Sequence, residues 1–260
     1  MGRLDGRIAI ITGTGKGIGR DTALRFAEEG ATVVLAARSE APGQGVLDEI
    51  TAAGGKAVLD VVDVGHRETC RALIERTAER FGGIDIILHN AAYTEGGRID
   101  TVEDKFLQLT FDVGLMPCFW LTADALPWLK KSKFPRILVT SSVMGPKWVQ
   151  PGRTHYATMK CGITGFVRSA AIELAAYGIT VNAVEPGTTM TDSVDRLVSP
   201  EFLKELIADI PLGRGIKGSE IANAFIYFAS DDGAMTTGQT LAVDGGSSLG
   251  SDKFMAFDDH

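Results

Sequence analysis

Short runs rich in valine and isoleucine recur along the whole chain, each followed by a longer stretch with helical spacing. This alternation limits the fold more than any other feature. The runs fall at residues 8–12, 32–36, 57–62, 84–88, 136–140, 180–184 and 240–243. They are apolar on both faces, as strands of a parallel sheet are when helices cover both sides. The amphipathic stretches lie near 20–29, 43–53, 66–80, 102–130, 155–176 and 219–229. In the first, Ala23, Leu24, Phe26 and Ala27 give way to Glu28, Glu29 and a stopping Gly30. Strand–helix–strand units repeated this way close with right-handed crossovers. An α/β, doubly wound fold is therefore expected, a seven-stranded parallel sheet flanked by helices on both faces.

No Pro/Ser-rich linker, charge block or repeat divides the 260 residues, so one domain spanning 1–260 is expected. Cys70, Cys118 and Cys161 are odd in number and widely scattered, which excludes a disulfide framework and a CxxC pair. The four histidines show no HExxH and no close pairing, so no metal is expected. A net charge of −7 disfavours a nucleic-acid partner, which requires a basic face. No run approaches ~18 uninterrupted apolar residues, so no membrane span is expected. The first residues lack the h-region of a targeting signal, and a cytoplasmic location follows as the expectation. Residues 188–215 have no alternation partner and are read as a helical excursion over the strand ends, a substrate lid. The tail 247–260 carries Phe254, Met255 and Phe257 among acids; it suits either disorder or packing on a neighbouring subunit.

Gly13, Gly15, Lys16, Gly17, Ile18 and Gly19 lie where the first strand turns into the first helix. Glycines there let a diphosphate approach backbone N–H groups at a helix N-terminus. GxGxxG does not fit; Gly13-xxx-Gly17-x-Gly19 behind Thr12 does. The second run ends Ala36-Ala37-Arg38-Ser39, with alanine where an NAD-preferring fold places a ribose-binding carboxylate. Lys16 and Arg38, with Ser39 beside it, would meet a 2′-phosphate, which favours NADP(H) over NAD(H). The bland alternative is two solvated cations. Asp63, followed by Val64, is placed to accept from an adenine amino group, or is a solvent-facing turn residue.

Tyr156 and Lys160 form a YxxxK pair, and i,i+4 spacing puts both on one helical face. A free phenol titrates near ~10; a neighbouring ammonium is expected to lower that value and make Tyr156 a proton donor and acceptor. Ser142, at the end of the fifth run, would hold the same substrate oxygen.

With these motifs in order, the chain resembles the short-chain dehydrogenase/reductase family, in its compact single-domain branch of the Rossmann type. The resemblance covers nearly all of the sequence. The family's TGxxxGxG matches residues 12–19, its NNAG matches His89-Asn90-Ala91-Ala92, its serine Ser142, and its YxxxK Tyr156 and Lys160. Its PG matches Pro186-Gly187, its carboxamide-binding threonine Thr191, and its terminal DGG Asp244-Gly245-Gly246. The resemblance implies that Lys160 also bonds the nicotinamide ribose, that Asn90 and Ala91 line the cofactor cleft, and that the chain forms a homo-oligomer, a tetramer or a dimer.

Three departures stand out. His89 and Ala92 replace both ends of NNAG, read as a change in packing. Tyr156 follows Ser142 by 14 positions, one more than the family's commonest spacing. Gly114 stands where the family has an asparagine thought to anchor a relay water to the lysine; its carbonyl is expected to keep that water. Tyr93, Met144, Trp148, His155 and Met190 are the expected substrate wall. Lys147 and Arg153 would anchor an acidic substrate group or be solvated loop cations. His155 tunes Tyr156 or packs, and packing is favoured because adjacent helix residues point apart. The expected function is NADP(H)-dependent oxidoreduction of a small-molecule ketone or secondary alcohol. The alternative is an impaired NADP(H)-binding sensor, with Gly114 as its support.

Overall fold

The computed structural model describes residues 2–191 and 199–250. In chain order the strands are β1 (Ile8–Thr12), β2 (Thr32–Ala37), β3 (Lys56–Val61), β4 (Ile86–His89), β5 (Arg136–Thr140), β6 (Thr180–Pro186), the two-residue β7 (Thr189–Met190) and β8 (Ile216–Lys217), and β9 (Thr240–Val243). The helices are α1 (Gly17–Glu28), α2 (Glu40–Ala52), α3 (Arg67–Phe81), α4 (Asp104–Gly114), α5 (Met116–Leu129), α6 (Thr154–Leu174), α7 (Pro200–Ala208) and α8 (Gly218–Ala229). All seven apolar runs enter one parallel sheet, ordered β3-β2-β1-β4-β5-β6-β9. Two runs are displaced: β3 lies one residue earlier than expected, at Lys56–Val61, and β4 starts at Ile86, where Asp85 turns its carboxylate onto the Ile8 N–H and the Ser132 hydroxyl.

The period of two in each strand divides the core between the sheet's faces. Ile10, Ile87, Val139 and Ala183 pack on one side with Leu73 of α3, Leu121 of α5 and Ile163 of α6. Ile11, Leu88, Leu138 and Val184 pack on the other with Phe26 of α1, Ile50 of α2 and Phe225 of α8. Leu88 and Leu138 are wholly buried, and truncating either to alanine costs about 2–5 kcal/mol. The chain winds outward from β1 to β3, then returns to place β4 on the other side of β1. That reversal opens a crevice beyond the carboxyl ends of β1 and β4, where doubly wound sheets bind ligands.

The stretch expected as one helix at 102–130 is two, parted at Leu115. Pro117, near the start of α5, has no N–H for the Val113 carbonyl. Cys118 N–H turns to Leu115 O at 3.0 Å instead of continuing the ladder. The carbonyls of Val113 and Gly114 are thereby released from helical bonding. Taken together, Asp104–Leu129 is long and apolar enough to cross a membrane by length and composition. Its apolar side, however, carries Leu121, Ala125 and Leu129 into the core against the sheet.

Within the expected lid, β7 and β8 pair with each other and α7 follows residues 192–198, which lie outside the described residues. Ser199 caps α7 through its hydroxyl, which accepts from Phe202 N–H at 3.2 Å. None of the residues of α7 is buried. Tail residues 251–260 also lie outside the described residues.

Candidate active site

The turn between β1 and α1 is built so that no side chain stands in it. Gly13 has φ +72°, and a Cβ there would lie 2.9 Å from Ala91 Cα. A Cβ on Gly19 would lie 2.2 Å from the Gly13 carbonyl oxygen. Lys16 precedes α1 without capping it, so the first-turn N–H groups have no side-chain acceptor. The Thr14 hydroxyl is buried there without a partner. Gly15 packs toward Pro42 and Gly17 toward Thr191, which brings the chain after Pro186-Gly187 over the same turn; Ile18 lies half-buried on the α1–β2 core. An uncapped helix start, an orphaned hydroxyl and a cradle that any Cβ would fill suit a dinucleotide diphosphate.

At the end of β2, Ala37 is buried while Arg38 and Ser39 are exposed. Neither Lys16 nor Arg38 has an ion-pair partner among the described residues, and both are open to an anion. Asp63 accepts the Gly65 N–H at 2.9 Å in the turn after β3, and Val64 is buried. Asn90 joins three segments. Its amide donates to the carbonyls of Thr12 (3.2 Å) and Gly13 (3.4 Å), while its oxygen accepts from the Thr140 hydroxyl (3.0 Å). Gly187 N–H donates to Val243 O at 3.0 Å, and Asp244 accepts N–H groups of Gly246 and Ser248, fastening the segment after β9 beside Pro186-Gly187.

Ser142 follows β5, and Tyr156 and Lys160 share a face of α6, so all three meet at the crevice. The Ser142 hydroxyl accepts the Met144 N–H at 3.0 Å and lies close enough to the Tyr156 phenol to pull its pKa down. Lys160 is buried, and its ammonium donates to Thr140 O at 2.7 Å while lying 5.5 Å from the Tyr156 ring centre. Burial pushes the Lys160 amine down to about 8, against a smaller opposing pull from Cys118. The expected lowering of the phenol by Lys160 is not what the side chains produce. Burial raises Tyr156 above the ordinary phenol value, and the opposing pulls come from Ser142 and Arg153. The phenol is a proton donor at neutral pH.

Of the expected substrate wall, Met144 and Trp148 bridge to each other across the loop after Ser142, and Met190 lies over Gly215. Tyr93 stacks on Phe106 at 5.9 Å and donates to the Glu95 carboxylate at 2.8 Å. His155 faces away from open space: it is buried, with Nε2 bonded to Glu95 O at 2.9 Å. Arg153 bonds Thr94 O, and Gly97 N–H donates to Gly152 O at 3.1 Å. These bonds strap loop 92–97 to the start of α6, so His155 and Arg153 shape the wall from behind. Lys147 lies 3.8 Å from the buried Glu185 carboxylate. Neither cation is the free anchor that an acidic substrate group would need.

Sequence reasoning passed over Thr12, His89 and Thr140 as polar participants. Thr12 accepts N–H bonds from Asn90 (3.0 Å) and Ala91 (3.1 Å), and its hydroxyl lies 2.9 Å from His89 Nδ1. Their signal is a polar residue ending each of three central strands, where apolar runs would otherwise finish. Among the described residues, no group of three or more His, Cys, Asp or Glu is placed to hold a metal.

Residues 13–248 match the family model described as enoyl-(acyl carrier protein) reductase. The 3-oxoacyl-[acyl-carrier-protein] reductase FabG of Thermotoga maritima is 34% identical over 94% of this chain and 98% of its own. The (2S)-[(R)-hydroxy(phenyl)methyl]succinyl-CoA dehydrogenase subunit BbsD of Thauera aromatica is 34% identical over 95% and 98%. A 7α-hydroxysteroid dehydrogenase complexed with NADH and 7-oxo glycochenodeoxycholic acid superposes with a TM-score of 0.90 at 30% identity, over 94% of this chain and 95% of that one. A short chain dehydrogenase from Burkholderia cenocepacia in complex with NADP gives 0.88 at 29%, over 94% and 99%.

Proposed function

The chain belongs to the short-chain dehydrogenase/reductase family, and from that premise we propose that it reduces a ketone, or oxidises the matching secondary alcohol, with NADP(H) as cofactor and Ser142, Tyr156 and Lys160 as its working residues. The observation that carries this is the convergence of Ser142, at the end of β5, with Tyr156 and Lys160 on one face of α6, the Lys160 ammonium lying 5.5 Å from the Tyr156 ring centre. The bound dinucleotide supplies or accepts the hydride. Ser142 takes the Met144 N–H on one lone pair and keeps its own hydrogen to hold the substrate oxygen. Tyr156 gives its phenolic proton to that oxygen during reduction and recovers it during oxidation, a contribution of about 10²–10⁴ in rate. Lys160 stabilises the phenolate left behind.

Exposed Lys16 and Arg38 beside buried Ala37 support NADP(H), since no carboxylate there opposes a 2′-phosphate. The uncapped turn, Asn90, Pro186, Gly187 and Thr191 would hold the remainder of the dinucleotide. Segment 188–215 serves as the cover, and α7, with no buried residue, would move without breaching the core. A cytoplasmic homo-oligomer, tetramer or dimer, belongs to the same proposal. Exposed Phe119, stacked edge-on to Phe166 at 4.9 Å, and exposed Ile172 on α6 support the assembly.

Fluorescence titration with NADPH and NADH, followed by a carbonyl panel containing a 3-oxoacyl thioester and an oxo-steroid, tests this reading. Tighter NADPH binding with turnover is expected. Tight binding with no turnover across the panel would replace it with a sensing role.

A further inference from the structure

β6 is buried along its whole length, and Glu185 is its one ionisable residue. The carboxylate is 1% exposed, and its Oε2 has no hydrogen-bond partner. The period of two places Glu185 on the face of Val181 and Ala183, the face that α6 covers. A carboxylate left there without compensation costs far more than one at the surface. The one cation paired with it among the described residues is Lys147, whose ammonium lies 3.8 Å from Oε2 and whose side chain is 43% exposed.

Lys147 belongs to the loop that carries Ser142, and that loop is hung on β6 at both sides of Glu185. Ser141 N–H donates to Val184 O at 2.8 Å, and Val143 N–H donates to Pro186 O at 3.2 Å. Beyond this stem the loop closes on itself. The Val143 carbonyl accepts the N–H groups of Lys147 (2.9 Å) and Trp148 (3.3 Å), and Gly145 N–H donates to Trp148 O at 2.7 Å. Gly145, at φ +108°, seats the loop on α6, where a Cβ would lie 2.6 Å from Ala157 O. Met144 N–H holds the Ser142 hydroxyl at 3.0 Å, so the direction of that hydroxyl follows the loop. One flank of the loop is therefore fixed by backbone contact with α6, and the other by a charge pair with β6.

We propose that Lys147 and Glu185 are positioning residues for Ser142: the pair draws loop 143–148 onto β6 and so fixes the hydroxyl that would meet the substrate oxygen. The inference rests on the reductase reading for its kinetic consequence, but the charge pair and the loop it holds do not. The two partners are unequal. Removing the cation strands a buried negative charge, whereas neutralising the carboxylate leaves a half-exposed ammonium that water solvates.

The test uses Lys147→Met, Lys147→Arg, Glu185→Gln and the double variant Lys147→Met/Glu185→Gln. Lys147→Met and Glu185→Gln should each lower kcat about ten-fold while KM and NADPH affinity stay within roughly two-fold. Lys147→Arg, which keeps the charge, should retain most of kcat. Lys147→Met should lower Tm more than Glu185→Gln does, and the double variant should regain Tm over Lys147→Met without regaining kcat. In a Ser142→Ala background, adding Lys147→Met should change kcat by less than about two-fold. Wild-type kcat in either single variant, kcat regained together with Tm in the double variant, or the full loss repeated in the Ser142→Ala background would overturn the proposal. ¹⁹F NMR of protein labelled with 5-fluorotryptophan reads the loop without turnover: the Trp148 signal, assigned through Trp148→Phe, should move in both single variants, and a stationary signal would also overturn it. If Lys147→Met does not fold, Glu185→Gln and Lys147→Arg carry the kinetic and NMR comparisons. Absence of wild-type turnover on every carbonyl would count against the reductase reading, and the order of Tm values and the Trp148 signal would still decide whether the pair holds the loop.

Discussion

The Lys160 ammonium is bonded to the Thr140 carbonyl, at 2.7 Å, while it stands 5.5 Å from the centre of the Tyr156 ring. The cation is thus anchored to the end of β5, and its effect on the phenol acts through space across the crevice. Tyr156 itself is left protonated by burial, with Ser142 and Arg153 pulling the other way. Proton donation, rather than abstraction, is the direction for which the protein's own charges are set.

Replacing Tyr156 with phenylalanine removes the donor and little volume. Turnover should fall by about 10²–10⁴ while NADPH binds within two-fold of wild type. Steady-state kinetics with a fluorescence titration measures both, and wild-type turnover would remove Tyr156 from the chemistry.

Lys160 carries its charge below about 8 and loses it as pH rises through that value. Cys118, pushed up to about 12, supplies no compensating charge in the same range. The reductive kcat should therefore decline above about pH 8, and Lys160→Met should abolish that limb along with most activity. A kcat that is level from pH 7 to 10 in the wild-type enzyme would show that the ammonium is not needed.

Cofactor choice should respond to the end of β2. Ala37→Asp combined with Arg38→Ala supplies a ribose acceptor and removes a phosphate partner. Charge-assisted bonds of about 1.5–3 kcal/mol correspond to roughly 10–100-fold shifts in the NADPH/NADH affinity ratio. An unchanged ratio would take Arg38 out of the cofactor site.

His89 also bears on acid stability. Burial, with the Lys160 charge adding to it, lowers the ring from 6.5 to about 4. The unfolded chain takes up that proton below 6.5 and the folded one does not, so the associated stability is present above 6.5 and is lost as pH falls toward 4. The full loss is roughly 3 kcal/mol. His89→Asn should show a shallower decline of Tm between pH 6.5 and 4.5; parallel Tm curves would mean that the ring titrates freely in the fold.

Much of this architecture was legible because it rests on local pattern. β5 coincides with its apolar run, Arg136–Thr140, where Pro135 and the loop at Ser141 bound it sharply. The break at Leu115 was written in Pro117, but a continuous apolar periodicity across 102–130 masked it. β7 and β8 are two residues each, too short for any period to emerge, and they form only because chain segments 27 residues apart meet over the crevice. The YxxxK pair declared itself through helical spacing. The Lys160–Thr140 bond and the Thr12–His89 contact did not, since each joins residues from separate elements. Likewise, His155 resembles a pocket residue in sequence, and only its Glu95 bond turns it into a loop fastener.

Asn90 has one further consequence, for recombination among relatives. Its side chain takes in the carbonyls of Thr12 and Gly13 and the hydroxyl of Thr140, so the phosphate turn and the strand leading to Ser142 share one amide. A chimera joined between β1 and β5 divides that set between two parents. The carbonyls at 12 and 13 belong to the main chain and are supplied by either parent, so positions 90 and 140, joined side chain to side chain, form the unit of inheritance, and a crossover that separates them is tolerated only where both parents agree at both.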